Sequence, residues 1–153
     1  MLPTLVILLH YCLQLTIRIW FTNSAFFWQI VWISWAVIIA VLSLIPGDQL
    51  PQIDWEFISI DTLVHFIMYL VLAFSMGLST LKKNLNLSKT KLYLLILTAG
   101  IGYGALIEIL QGTLIYRRYF DLMDLLANSL GTIFGIILIS QTGIIKYEQG
   151  TKD

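Results

Sequence analysis

The apolar positions of this chain gather into long runs broken at a few polar points. A helix needs about 20 mostly apolar residues to cross a bilayer. Four runs meet that length: about Ala25 to Ile45, Thr62 to Leu81, Lys91 to Gly112 and Leu122 to Gln141. A fifth candidate, Leu2 to Phe21, is apolar except on one side, where His10, Gln14 and Arg18 recur every four residues. These three share a helical face. That face suits a span turned into a bundle or a helix lying in the interface, and spanning is preferred. No positive charge precedes the run and no small-x-small site follows it, so a cleaved signal peptide is not expected. The breaks are Ile45-Pro46-Gly47-Asp48, the polar turn Asn84 to Ser88, and the short loop Tyr116 to Phe120. Pro and Gly end helical patterns. The pattern predicts an all-α, polytopic membrane helical bundle. Four transmembrane helices and the fifth candidate, within residues 1–23, form a single membrane domain over residues 1–153.

Composition sharpens this picture. Hydrophobic residues make up 58% of the chain and charged residues 12%, whereas a soluble domain carries roughly a quarter charged residues. An ordinary soluble enzyme is thereby excluded. Nine basic residues balance nine acidic ones, which argues against a nucleic-acid partner. The single cysteine, Cys12, forms no internal disulfide.

Basic residues in short loops orient a membrane protein. The Lys82–Lys91 loop carries Lys82, Lys83, Lys89 and Lys91 without an acid, while Asp48, Asp54 and Glu56 follow the first run without a base. The lysine loop and the C-terminus are therefore expected in the cytoplasm. The Pro46–Asp61 and Tyr116–Phe120 loops are expected outside. Phe26, Phe27 and Trp28, and later Trp55 and Phe57, fall where interfacial aromatic belts lie. Arg117 and Arg118 are discordant, since this frame puts two arginines outside. They call for a local partner.

Ionisable residues inside membrane helices are costly and therefore mark candidate sites. Glu108 lies about one turn inside the third run, on a stripe with Gly100, Gly104 and Gln111. The glycines let another backbone approach, so the stripe faces protein. Asp121, Asp124, Asn128, Gly131 and Gly135 repeat the logic on the fourth run. A short loop makes these two helices antiparallel neighbours. Counting outward from the loop places Glu108 level with Asp124 to Asn128 and turns the glycine ends toward each other. Two acids at one depth repel, and Arg117 or Arg118 relieves this by a charge-assisted bond. The expected ion pair is Glu108–Arg118. The second run adds Asp61, His65 and Tyr69 on one face, near the same end. Asp61 also suits a helix cap, and His65 suits a hydrogen bond to Asp61 or to a backbone carbonyl. Trp28, Trp32 and Trp35 share a face and are read as core or lipid contacts.

In these residues the chain resembles the VanZ-like family. The resemblance rests on Asp61-Thr-Leu-Val-His65 with Tyr69, on Glu108-Ile-Leu-Gln111, on Arg118, and on Asp124-Leu-Leu-Ala-Asn128 with Gly131 and Gly135. It covers roughly residues 44–139 and leaves residues 1–23 outside. Thr62 departs from the pattern, which has Lys there. The resemblance implies a small protein of the bacterial plasma membrane and cell envelope, linked to resistance to the glycopeptide teicoplanin. It carries over a site rather than a reaction.

The candidate polar cluster is thus Asp61, His65, Tyr69, Glu108, Gln111, Arg118, Asp121, Asp124 and Asn128, with Gly100, Gly104, Gly131 and Gly135 packing helices. No cofactor is implied. Asp61, His65, Glu108 and Asp124 offer ligands enough for a divalent cation, but one histidine without tight ligand spacing is a weak signal, so no metal is expected. No nucleophile motif or phosphate-binding glycine loop is present. The preferred reading is a non-catalytic module in the lipid bilayer that binds a lipid, a lipid-linked cell-wall precursor or an envelope protein at the outer leaflet. The alternatives are a membrane enzyme using Glu108, Asp124 and His65 in acid–base chemistry, and a small transporter or flippase subunit. The oligomeric state is left open.

Overall fold

A computed structural model describes residues 24–46, 60–83, 87–115 and 118–142. The fifth-helix candidate with His10, Gln14 and Arg18, most of the acidic loop, and Arg117 lie outside the described residues. Among those described, the chain is all-helical: α1 (Ala25–Ser43), α2 (Ile60–Lys82), α3 (Lys89–Leu114) and α4 (Leu122–Gln141). Each is long and apolar enough to cross a membrane. At about 1.5 Å per residue, even α1 approaches the roughly 30 Å of a hydrocarbon core.

Local chemistry starts and stops these helices. Ser24, Ser88 and Asp121 are N-caps whose side chains accept from the backbone N–H groups of Phe27, Lys91 and Met123. Such caps satisfy donors that the first turn leaves free. Pro46 follows closely on the end of α1, where a proline ring cannot continue a helix. Hydroxyl groups within the spans turn back on their own helices. Ser75, Thr80, Thr98, Thr113, Ser129 and Thr132 each donate to the carbonyl four residues earlier. A bilayer offers no water to these groups, so the local bond makes them tolerable there.

The helices run alternately up and down. The central contact is between α2 and α4, which run parallel, and glycine makes it close. A Cβ at Gly131 would run into the carbonyl oxygen of Phe66, and one at Gly135 would lie 2.7 Å from the carbonyl oxygen of Leu70. On α3, a Cβ at Gly100 would lie 2.6 Å from Thr132, and one at Gly104 would lie 3.1 Å from the Asn128 Cβ. All four glycines therefore pack helices, but the glycine ends of α3 and α4 do not face each other as the spacing suggested. Gly131 and Gly135 receive the backbone of α2, while Gly100 and Gly104 receive side chains of α4.

The first helix, α1, is the outlier, with only Ile39 and Ser43 buried along it. Ile39 packs with Tyr69 and Leu72, flanked by Trp32, Trp35 and Tyr103. Polar side chains fasten it further: Trp35 Nε1 donates to Met68 O at 2.8 Å, Tyr103 Oη to Ala36 O at 2.6 Å, and Gln111 Nε2 to Ser43 O at 2.8 Å. Trp28 meets Phe74 edge-on with ring centroids 6.5 Å apart. The tryptophan face is thus a core contact. The outward side chains, such as Phe26, Val37, Val41, Leu106, Ile109 and Leu130, remain exposed, as a lipid-facing surface requires.

Candidate functional site

Polar groups from α2, α3 and α4 converge at one end of the bundle. His65 lies five residues into α2, Glu108 six residues before the end of α3, and Asn128 six residues into α4. At about 1.5 Å per residue, all three sit roughly 7–9 Å below the helix ends. The common depth expected from spacing is therefore realised. His65 is 2% exposed, Glu108 1% and Asn128 0%.

Asn128 is the hub. Its Oδ1 accepts from His65 Nδ1 at 3.0 Å, and its Nδ2 reaches Glu108 Oε1 at 3.5 Å. The other Glu108 oxygen, Oε2, accepts from the backbone N–H of Asp121 at 3.4 Å. Glu108 Oε1 also lies 3.7 Å from His65 Nδ1. An acid, an amide and an imidazole from three helices thus satisfy one another in the buried interior, where an unpaired polar group would be costly.

A second layer lies nearer the rim. Arg118 Nη1 donates to Asp61 Oδ2 at 2.6 Å. Thr62 Oγ1 donates to Asp124 Oδ1 at 2.8 Å. His65 Nε2 faces both acids, 3.8 Å from Asp61 Oδ1 and 4.0 Å from Asp124 Oδ2. Asp121 caps α4 at the edge of this layer.

Two expectations change here. The arginine does find a local partner, but Arg118 pairs with Asp61 and not with Glu108. Arg118 sits in the connection ahead of α4, level with the start of α2, whereas Glu108 is sealed below the Asp121 backbone. His65 bonds to Asn128 rather than to Asp61 or a backbone carbonyl. The Asp61 carboxylate, in the first turn of α2, also takes part in an ion pair.

Two cluster members face elsewhere. Gln111 turns to the end of α1. Tyr69 lies a turn deeper, with its ring 6.1 Å from that of Tyr103. Its hydroxyl is buried and has no hydrogen-bond partner among the described residues. Spacing did not single out Thr62 as a member, although it stands three residues before His65 and so shares its face. Ser43 was also missed, because a backbone carbonyl acceptor leaves no trace in side-chain patterning. Among the described groups, Asp61, His65 and Asp124 each offer a ligand atom, all within 4.8 Å of one another.

The family model for VanZ/LLP1 matches residues 6–146. The chain belongs to that family, whose name is linked to glycopeptide resistance. The match is wider at both ends than the 44–139 stretch holding the motifs. No curated protein and no solved structure matches the chain.

Proposed function

We propose that this VanZ/LLP1 family member is a non-catalytic membrane module that binds the headgroup of a phosphate-bearing lipid, or of a lipid-linked cell-wall intermediate, at the outer leaflet of the bacterial plasma membrane. The outward orientation follows the lysine bias of the loops. One observation carries the reading: Arg118, whose side chain is 13% exposed, stands at the rim of the acidic nest with its buried Nε lacking a partner among the described residues. A guanidinium has donors to spare after one bond to Asp61 and suits phosphate or carboxylate oxygens. The carboxylates beside it accept from hydroxyl or ammonium groups. Tyr119, Phe120, Leu122 and Met123 next to Arg118 are exposed apolar side chains, a collar fitted to acyl chains.

Mass spectrometry of lipids retained after native-membrane purification tests this. The wild type should enrich a phosphate-bearing lipid over bulk composition, and Arg118→Ala should lose that enrichment while keeping its helicity. Retained lipid of bulk composition, unchanged in Arg118→Ala, overturns it.

A second reading, acid–base chemistry on such a lipid, is favoured by His65 lying within 4.0 Å of three carboxylates. Glu108→Gln keeps the shape of the side chain and removes the base. Undiminished turnover in that variant eliminates this version.

A further inference from the structure

The rim layer has an arrangement that neither helix packing nor headgroup binding requires. Each of three side chains is held from behind at one atom and offers its other atom to a common point. Arg118 holds Asp61 Oδ2, leaving Oδ1 turned inward. Thr62 holds Asp124 Oδ1, leaving Oδ2 turned inward. Asn128 holds His65 Nδ1. Because the Asn128 amide nitrogen goes to Glu108, its oxygen accepts from Nδ1–H, which leaves His65 Nε2 as the ring atom turned to the two carboxylates. This buried nitrogen, at 3.8 and 4.0 Å from the two carboxylate oxygens, is beyond hydrogen-bond reach of either. Three ligand atoms turned to one point, all within 4.8 Å of one another, form a donor set for a cation.

We propose that Asp61, His65 and Asp124 bind a divalent transition-metal ion of the Zn²⁺ or Mn²⁺ kind, with Arg118, Asn128 and Thr62 as the groups that orient its ligands. The geometry fits the ion. With separations of 3.8 and 4.0 Å and a third of no more than 4.8 Å, the in-plane point equidistant from the three atoms lies at most about 2.5 Å from each, within a few tenths of an ångström of zinc–nitrogen and zinc–oxygen bonds. Small rotations of the carboxylates close that gap. Imidazole with carboxylates suits a transition ion better than Mg²⁺ or Ca²⁺, which take oxygen alone. Outer partners that fix the tautomer and rotation of each ligand are the hallmark of built metal sites. Charge agrees: His65 Nε2 lies between the carboxylates of Asp61 and Asp124, and Arg118 pairs with only the first of them. The Asp61 side chain is 41% exposed, which gives the ion an entry path from the rim.

The site is independent of the lipid reading, and it is tested without lipid. The full chain, purified in detergent with a tag lacking histidine, is stripped with chelator and equilibrated with Zn²⁺, Mn²⁺ or Co²⁺. Metal content is measured by mass spectrometry, and Co²⁺ by its visible absorption. One ion per chain is expected. His65→Gln and Asp124→Asn should each weaken binding about 100-fold or more, and Thr62→Val should weaken it about tenfold to 100-fold through the orientation of Asp124. Thr62→Lys places an ammonium on Asp124 and should abolish binding while the apo protein melts no lower than wild type. This variant keeps the test decisive should the ligand variants fold poorly. Failure of all three ions to bind, or binding that survives both Asp124→Asn and Thr62→Lys, overturns the proposal.

Discussion

The two ends of this bundle handle buried polarity in opposite ways. Away from the nest, polar side chains in the spans are mostly hydroxyls that bond within their own helix: Ser75 to Val71, Thr80 to Met76, Thr98 to Leu94 and Ser140 to Ile137. Directly below the nest, Gly131 and Gly135 let α2 and α4 touch. At the nest, bonds cross the chain, from Arg118 to Asp61, Thr62 to Asp124 and His65 to Asn128, over 57 to 63 residues. A local bond satisfies a group without saying where the neighbouring helix stands. A long-range bond fixes one helix against another, and it holds only if every partner is in place. One end is therefore an apolar joint that tolerates polar atoms, and the other is a polar joint that specifies geometry.

The glycine joint offers the harshest perturbation. Gly131→Leu forces a side chain into the Phe66 carbonyl, where backbone must move, and a loss of about 3 kcal/mol or more is expected. Melting in detergent, or failure to yield monodisperse protein, reads it. Gly102, where a Cβ meets only open space, is the matched control. Gly102→Ala should leave the melting temperature unchanged or slightly higher.

The hub of the polar joint comes next. Asn128→Leu leaves His65 Nδ1 and one Glu108 oxygen buried without their amide, at a cost of about 2–3 kcal/mol. A variant as stable as wild type would mean the polar joint does not specify the packing. The rim pair is weaker. Asp61→Arg or Arg118→Asp alone should lose about 1 kcal/mol, and the exchanged double variant should recover much of it. Exchanging Glu108 and Arg118 should give no recovery, because those two groups do not meet. The smallest effect belongs to the local bonds. Thr98→Val should change stability by less than about 0.5 kcal/mol, and a larger loss would dissolve the contrast between the two ends.

Much of this was legible from residue order. Four spans follow from run length. Asp61, His65, Glu108, Asp124 and Asn128 gather at one end because the short connection between α3 and α4 sets their register and α2 starts at the same end. The partnerships were not legible. Glu108–Arg118 was a reasonable pairing by depth and sign. Yet Arg118 bonds to Asp61, because the rim position of the arginine and the rotation of α2 bring those two within 2.6 Å. The glycines of α4 were rightly expected to admit a helix. That the helix is α2 rather than α3 depends on the rotation of α4, which no spacing rule contains.

Helical period and apolar length are properties of one segment at a time. They decide, from residue order alone, that this is a membrane bundle, which faces carry its polar groups and at what depth. The rotation of each helix about its axis answers to all its neighbours at once. So does the choice among acceptors a few ångströms apart. The three inward-turned ligand atoms, the hub at Asn128 and the anchoring of Gln111 on Ser43 therefore exist only in the assembled fold, where contacts far apart in the chain are settled together.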